Sequence, residues 1–454
     1  MKNRLEFNLE SFCSEPWSQI EIDAQGDFKI CCLANFDKDF GMAINSDGRV
    51  MNAATDSIKD AINSETHKAH RLALSRNEQP VRCRSCYDSE RASKSYVSRD
   101  GATNAISLGI SKRKRVLNRT TKEIPEYTTV ETASDRTDFD GSLPNPKIRN
   151  LDIRFGNYCN FKCLMCSPQH SNQWYEDWFA INKQTDMAKQ TKGNGEQGEI
   201  ILRRNKEGNI EAPGMKRWWE SPKWLESFEE VAPDLRYIYF TGGEPLIVPQ
   251  MHKFLDVLIE RGYSENITLR YDTNLSLINQ KVIDKWKRFK KIYLCISMDD
   301  TYERYELIRF PGKFETIKNN ILTVKQNNIR IEYISACVGI ASPYTVKRLA
   351  DFGEQYEVPI MIRFLEGPTW LDIRNYSKAA KLKIIDELTG YSEYHDYLKW
   401  GGAQIKLLEN YLDIDWNGDL RLKDFIEKMN ILDKQRGTNW KKTLPDVVEL
   451  LRMR

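Results

Sequence analysis

The chain has 454 residues, 40% of them hydrophobic and 11% aromatic, which is enough for two or three domains with buried cores. Its 68 basic and 65 acidic residues leave a net charge of +3, too balanced to mark a nucleic-acid binder. No run reaches the ~18 consecutive apolar residues of a membrane span, and Met1-Lys2-Asn3-Arg4-Leu5-Glu6-Phe7-Asn8 lacks the apolar centre of a signal peptide; a cytoplasmic protein without a membrane partner is expected.

Ten cysteines in a reducing compartment read as metal or cluster ligands rather than as a disulfide set. Five lie in residues 1–92: Cys13, ahead of Pro16-Trp17; Cys31 and Cys32, ending the hairpin Gly26-Asp27-Phe28-Lys29-Ile30-Cys31-Cys32; and the Cys-x-x-Cys of Cys83 and Cys86. Two cysteines on a hairpin followed by Cys-x-x-Cys give four thiols that can converge on one site. Four thiolates suit zinc as well as iron and sulfur. The five histidines include no His-x-x-x-His pair, which argues against a histidine-rich metal site. Residues 93–146 are polar, rich in Ser, Thr, Lys and Arg, and read as a linker. Its basic run Lys112-Arg113-Lys114-Arg115 has no interleaved aromatics and reads as a solvated loop.

From residue 147 the texture becomes one of short apolar strands alternating with amphipathic helices, as in βα units around a parallel sheet. Strands are expected at 148–155, 237–241, 267–273, 292–297, 331–338 and 360–365. Ile267, Leu269, Tyr271 and Thr273 alternate with polar residues at a period of two. Phe254, Leu255, Leu258 and Ile259 recur at helical spacing between Pro249 and Gly262, and Phe314, Ile317, Ile321 and Val324 form a second stripe. After the first strand, Asn157-Tyr158-Cys159-Asn160-Phe161-Lys162-Cys163-Leu164-Met165-Cys166 places three cysteines at spacings of three and two residues. Three thiolates leave one corner of an iron–sulfur cube open to a small molecule, where a closed site has four ligands. A zinc ion taking His170 as fourth ligand is the alternative. Residues 171–221 interrupt the rhythm as an insertion, with a turn expected at Gly193-Asn194-Gly195-Glu196-Gln197-Gly198. Trp174, Trp178, Trp218 and Trp219 flank it and are expected to pack it onto the barrel, with cover over a substrate as the other reading. Thr241-Gly242-Gly243-Glu244-Pro245 ends the second strand, Thr273-Asn274 the third and Ser297-Met298-Asp299 the fourth. Cys295 and Cys337 lie inside strands and read as core. Residues 376–454 have a helical texture, the last helix at about 440–454 capping the barrel.

A Cys-x₃-Cys-x₂-Cys loop followed by a strand-end Gly-Gly-Glu-Pro resembles the radical S-adenosylmethionine (SAM) superfamily. The resemblance implies an α/β fold, a partial (βα)₆ TIM-like barrel at 147–375 with its site at the C-terminal ends of the strands. It implies a [4Fe–4S] cluster on Cys159, Cys163 and Cys166 that binds SAM through its open iron. Gly242 and Gly243 would let backbone approach the methionyl part, and Glu244 would hold the ammonium. Asn274 and Ser297 match positions of polar contacts to the SAM carboxylate and ribose, Arg309 matches the arginine that meets the carboxylate, and Val338 and Gly339 lie where adenine rests. Met165 departs from the family's usual aromatic. The hairpin and Cys-x-x-Cys resemble the auxiliary-cluster domains called SPASM and twitch, here ahead of the barrel instead of behind it. On that resemblance Cys13, Cys31, Cys83 and Cys86 hold an auxiliary [4Fe–4S] cluster, with Cys32 as the spare; a zinc ribbon is the alternative.

The function so implied is reductive cleavage of SAM to a 5′-deoxyadenosyl radical, which removes hydrogen from a substrate carbon while the auxiliary cluster relays an electron. Oxidative modification of a peptide is the first expectation, dehydrogenation of a sugar or other small metabolite the second, with flavodoxin or ferredoxin as reductant. A rival of another class is a non-catalytic iron–sulfur or zinc protein for electron transfer or scaffolding, which has no use for Glu244 or an open iron.

Overall fold

A computed structural model of the chain describes residues 5–34, 40–84, 86–87, 129–191, 199–215, 217–365, 367–389, 408, 410–412 and 419–453. The basic run at 112–115, the turn at 193–198 and much of the linker and tail lie outside the described residues. The described strands are β1 (Gln19–Ile22), β2 (Phe28–Lys29), β3 (Asn150–Arg154), β4 (Met187–Thr191), β5 (Glu199–Arg204), β6 (Ile210–Glu211), β7 (Tyr237–Thr241), β8 (Thr268–Thr273), β9 (Lys291–Ser297), β10 (Arg330–Val338) and β11 (Ile360–Phe364).

Six of them, β3 and β7 to β11, fall within three residues of the expected bounds and are mutually parallel neighbours in chain order. The crossover helices carry the apolar stripes read from sequence. Phe254, Leu255 and Leu258 on Pro249–Glu260 are buried, as are Phe314, Ile317, Ile321 and Val324 on Phe314–Gln326. Each such side chain contributes ~1.5–3 kcal/mol on burial. Pro249 starts its helix, where a missing N–H costs nothing, and Gly262 follows it at φ +73°, the left-handed region that glycine enters freely.

The period of two decides the rest. Leu151, Ile153, Ile238, Phe240, Leu269, Tyr271, Leu294 and Ile296 share one buried core with the helices. Their alternates, Asp152, Arg154, Tyr239, Arg270 and Asp272, therefore occupy the other face of the sheet. The structure is a partial TIM-like barrel whose inner face is polar.

The N-terminal block does not stand apart from this sheet. β1 pairs parallel to β3, with Glu21 opposite Asp152 and Ile22 opposite Ile153, and β2 pairs antiparallel to β1. Eight strands thus run in the order β11-β10-β9-β8-β7-β3-β1-β2. Arg71, fully buried on the helix Glu65–Ser75, donates to the carbonyls of Gly141, Pro16 and Ile62 at 2.6–2.8 Å, tying the block to the segment that leads into β3.

The insertion at 171–221 is a small fold of its own. The helix Tyr175–Ile181 packs on an antiparallel sheet β4-β5-β6 around Phe179, Ala188, Ile200 and Leu202. Three of the four flanking tryptophans are buried and pack: Trp218 stacks on Phe155 at 5.5 Å and meets Trp224 edge-on at 5.0 Å, and Trp174 donates to Cys163 O at 2.8 Å. A cavity of about 390 Å³ beside them, lined by Phe155, Trp219, Trp224 and Phe254, includes no cysteine. At the C-terminus the single helix expected at 440–454 is instead Trp440–Thr443 and Pro445–Leu450, because proline at 445 restarts the chain after Leu444. Asp446 pairs with Arg304 at 2.5 Å, docking this end on the helix layer.

Candidate active site

The loop after β3 is fixed by its backbone before any ligand is considered. Asn157 Nδ2 donates to Pro168 O at 2.6 Å, closing the loop, and Cys159 N donates to Asn172 Oδ1 at 3.1 Å. Lys162 N and Leu164 N donate to Phe310 O and Ile308 O at 2.7 and 2.8 Å, so the loop lies along the chain leaving the helix Tyr302–Ile308. Cys159 and Cys163 are buried and Cys166 is half-buried. Burial pushes the Cys159 thiol up to about 12. The Cys166 thiol is raised by donating to Cys163, and Cys163 is lowered by accepting that bond and by the nearby Arg309. Arg309 Nη1 lies 3.9 Å from Cys163 Sγ. Three thiols on one loop, two of them buried and one beside a guanidinium, are a donor set that fits an iron–sulfur cluster.

The Gly-Gly-Glu turn is packed onto this loop. A Cβ at Gly243 would sit 2.0 Å from Tyr158 O, and Glu244 N donates to the same carbonyl at 2.7 Å. Gly242, at φ +115°, faces Gly156 O and Arg154. The close approach the glycines serve in the structure is thus to the cysteine-loop backbone, whereas the sequence pointed to SAM. Gly339 likewise faces Leu371 O, 2.6 Å from its Cβ position.

Glu244 is 1% exposed. Its Oε1 accepts from Leu246 N at 3.1 Å and from Thr273 Oγ1 at 2.7 Å, and its Oε2 accepts from Asn274 N at 2.7 Å. These bonds staple the end of β7 to the end of β8. Burial, partly offset by them, moves the carboxyl up to about 7. A carboxylate has about four acceptor sites; three are used, and the remaining one, on Oε2, fits a single N–H of an ammonium.

Asn274 reaches the cysteine loop. Its side-chain amide donates to Asn160 Oδ1 at 2.9 Å and its Oδ1 accepts from Ser276 N at 2.9 Å, so it braces the cysteine loop. Ser297 is half-buried at the end of β9. Arg309 is committed to an ion pair, Nε to Asp299 Oδ2 at 2.7 Å, and the fully buried Asp299 also accepts from Cys337 N at 2.8 Å. Cys295 is buried as expected, but half-buried Cys337 neighbours this pair instead of the apolar core.

The N-terminal cysteines converge. Cys13, Cys31, Cys83 and Cys86 line one cavity with Glu15, Ile30, His70 and Arg82. Cys32 points elsewhere: its thiol lies within 4.8 Å of carboxylate oxygens of Glu21 and Asp152. Burial holds the Cys13 thiol well above its ordinary value, with Cys83 and Cys86 adding to the shift. His70, missed in the sequence, puts Nε2 3.7 Å from Cys83 Sγ, and burial drops its pKa to about 3, so the ring is neutral. Four thiols around one apolar cavity fit a second cluster by the chemistry of the donors.

On the polar inner face of the barrel, Tyr239 OH donates to Asp272 Oδ2 at 2.6 Å, Arg270 Nη2 donates to Tyr333 OH at 2.7 Å, and Arg154 pairs with Glu21 at 3.0 Å. The sequence reading singled out none of these, because each looks like an ordinary strand residue until the sheet curves.

Known proteins can be set against this geometry. Residues 153–341 match the family model of the radical SAM superfamily, and residues 13–87 match that of the SPASM iron–sulfur cluster-binding domain. No curated protein matches. Among solved structures, native anSMEcpe with bound AdoMet is 16% identical, with 54% of this chain and 60% of that one covered at a TM-score of 0.36. Streptococcus suis SuiB bound to S-adenosylmethionine is 15% identical over 80% of this chain and 71% of that one, at 0.34. The chain thus spans 60% of the length of anSMEcpe. The matched segments contain the two cysteine constellations, and the matched domains imply a SAM-binding [4Fe–4S] cluster and an auxiliary iron–sulfur cluster. Residues 153–341 are thus similar to the radical SAM superfamily, and residues 13–87, ahead of the barrel, to the SPASM iron–sulfur cluster-binding domain.

Proposed function

We propose that the protein is a radical SAM oxidoreductase that oxidises a peptide, with Cys159, Cys163 and Cys166 holding the SAM-binding cluster and Cys13, Cys31, Cys83 and Cys86 the auxiliary one. The observation that carries this reading is the joining of the three thiols of one loop, Arg309 and the buried Glu244 at the C-terminal ends of β3, β7 and β8. When bound, the cofactors supply reductive cleavage of SAM and removal of hydrogen from a substrate carbon. The chain's own part is positional and electrostatic. Glu244 offers one acceptor site to the SAM ammonium, Arg309, held by Asp299, lies beside Cys163, and the staple from Glu244 to Thr273 and Asn274 fixes the ends of β7 and β8 against each other. The inner-face groups Tyr239, Asp272 and Arg270 are placed to meet the substrate. Four thiols at the auxiliary cavity leave no open iron there, which favours an electron relay over substrate binding. A peptide is the proposed substrate class on family grounds. The test is whether the anaerobically reconstituted protein, reduced by flavodoxin or dithionite, converts SAM to 5′-deoxyadenosine; no product with both clusters loaded removes the reading.

Replacing both Cys83 and Cys86 by alanine is expected to leave this cleavage intact and abolish peptide product, since the two cysteine sets are separate. Normal turnover by the variant would make the N-terminal site structural only. Zinc in the purified parent would replace the auxiliary cluster.

A further inference from the structure

Among the side chains that line the auxiliary cavity with the four cysteines, His70 is in contact with a thiol. It stands on the helix Glu65–Ser75, 2% exposed, and its Nε2 lies 3.7 Å from Cys83 Sγ, within hydrogen-bond reach of a sulfur. The next residue, Arg71, holds three backbone carbonyls at 2.6–2.8 Å. That fixes the helix, and with it the place of the ring beside Cys83.

The sulfur is the ring's one hydrogen-bond partner among the described residues. Nδ1 is buried and has none. Pro16, Ile30, Leu33 and Ala34 make much of the remaining wall apolar, and a leucine at position 70 would fill the space without burying two ring nitrogens. A histidine is costly there unless its contact with the sulfur is used. Four thiols already complete the ligand set of a cluster, so the nitrogen is left to act on a ligand and not as one. A neutral imidazole carries one N–H. A thiolate bound to iron has no proton and can only accept, which puts that N–H at Nε2.

We propose that His70 is a positioning residue of the auxiliary site, its Nε2–H donating a hydrogen bond to the sulfur of Cys83 and raising the reduction potential of the cluster held there. This rests on the auxiliary-cluster assignment made above. One-electron reduction adds negative charge to a cluster, and a donor to one of its sulfurs favours the more negative state. The rival role is direct ligation, because a sulfur and a nitrogen on one tetrahedral ion also stand about 3.6 Å apart at ordinary bond lengths.

The test is EPR on the reconstituted, dithionite-reduced protein grown with isotope-labelled histidine. The signal that does not change when SAM is added belongs to the auxiliary cluster. A weak nitrogen coupling to it, absent from His70→Leu, is expected; no coupling, or the strong coupling of a directly bound nitrogen, overturns the proposal. In a redox titration His70→Leu is expected to keep the parent's iron content and to lower the reduction equilibrium constant of this cluster about tenfold, equivalent to 59 mV for one electron. His70→Gln carries an amide N–H at the reach of Nε2, so its potential is expected to stay with the parent's. A leucine variant with the parent's potential, or a glutamine variant that falls with the leucine one, overturns the proposal and leaves His70 as packing. The coupling in the parent decides the matter if the leucine variant does not fold. If the parent has no SAM-insensitive signal, or holds zinc at this site, the cluster assignment fails first, and the two failures are distinguished.

Discussion

Replacing Cys159, Cys163 and Cys166 together by alanine is expected to remove about half of the iron after reconstitution and all SAM cleavage, since each cluster is held by its own cysteines. The fold should survive. The loop is held by backbone bonds from Lys162 and Leu164, by Asn157 and by Trp174, none of which uses a thiol. Burial keeps Cys159 a neutral thiol in the absence of iron, so alanine there deletes an apolar group and no charge. Iron analysis together with 5′-deoxyadenosine formation reads the result. Full iron with retained cleavage would sink the assignment of this loop. Loss of all iron would mean that the two sites are loaded as one unit, contrary to the separation of the two cysteine sets.

Much of the fold was legible because it depends on local signals. The six barrel strands are short runs of alternating residues, and the alternation that identified β8 also says which side faces the helices. β1 was not legible. Gln19-Ile20-Glu21-Ile22 is only four residues long, and its partner β3 is more than a hundred residues later, across the linker. A parallel pairing leaves no local turn signature, unlike a hairpin. The sheet in the insertion was hidden for a related reason: Met187–Thr191 is largely polar and Glu199–Arg204 carries only the short apolar run Ile200-Ile201-Leu202, around a four-residue core.

At the site, residue types were legible and their partners were not. Arg309 and Asp299 were both visible as polar groups at or after a strand end, but their ion pair needs the helix Tyr302–Ile308 to fold back on β9. The sequence left Cys31 and Cys32 as alternatives. In the structure Cys31 lines the cavity with Cys13, Cys83 and Cys86, while Cys32 turns to Glu21 and Asp152 on the barrel. Gly243 was singled out for a close approach of backbone to SAM, and in the structure the group at its Cβ position is the backbone of Tyr158.

Glu244→Gln is the sharpest probe of the SAM site, and its effect divides into two parts. The first is structural. With its oxygen turned to Asn274 N, the glutamine amide presents its NH₂ to Leu246 N, a donor facing a donor; Thr273 can turn its hydroxyl, but a backbone N–H cannot. An unsatisfied buried donor costs about 1–3 kcal/mol, so a lower melting temperature is expected with the iron content unchanged. The second part is the charge. Losing a charge-assisted hydrogen bond to the SAM ammonium, worth ~1.5–3 kcal/mol, weakens SAM roughly ten- to a hundredfold. The pH dependence separates the two. Burial holds Glu244 at about 7, above the 4.5 of a free side chain. Only the ionised form attracts an ammonium, so SAM affinity in the parent falls as pH drops below 7, by about tenfold per unit once the acid form dominates. The sign for stability is opposite: a carboxyl with a raised pKa makes the SAM-free fold lose stability as pH climbs from 4.5 through 7. Glutamine has no proton to exchange, so both slopes should vanish in the variant. Equilibrium binding of SAM between pH 5.5 and 8 decides the matter. A parent whose affinity does not change over that range, or a variant that keeps the parent's slope, would leave Glu244 as the staple between β7 and β8 and remove it from SAM recognition.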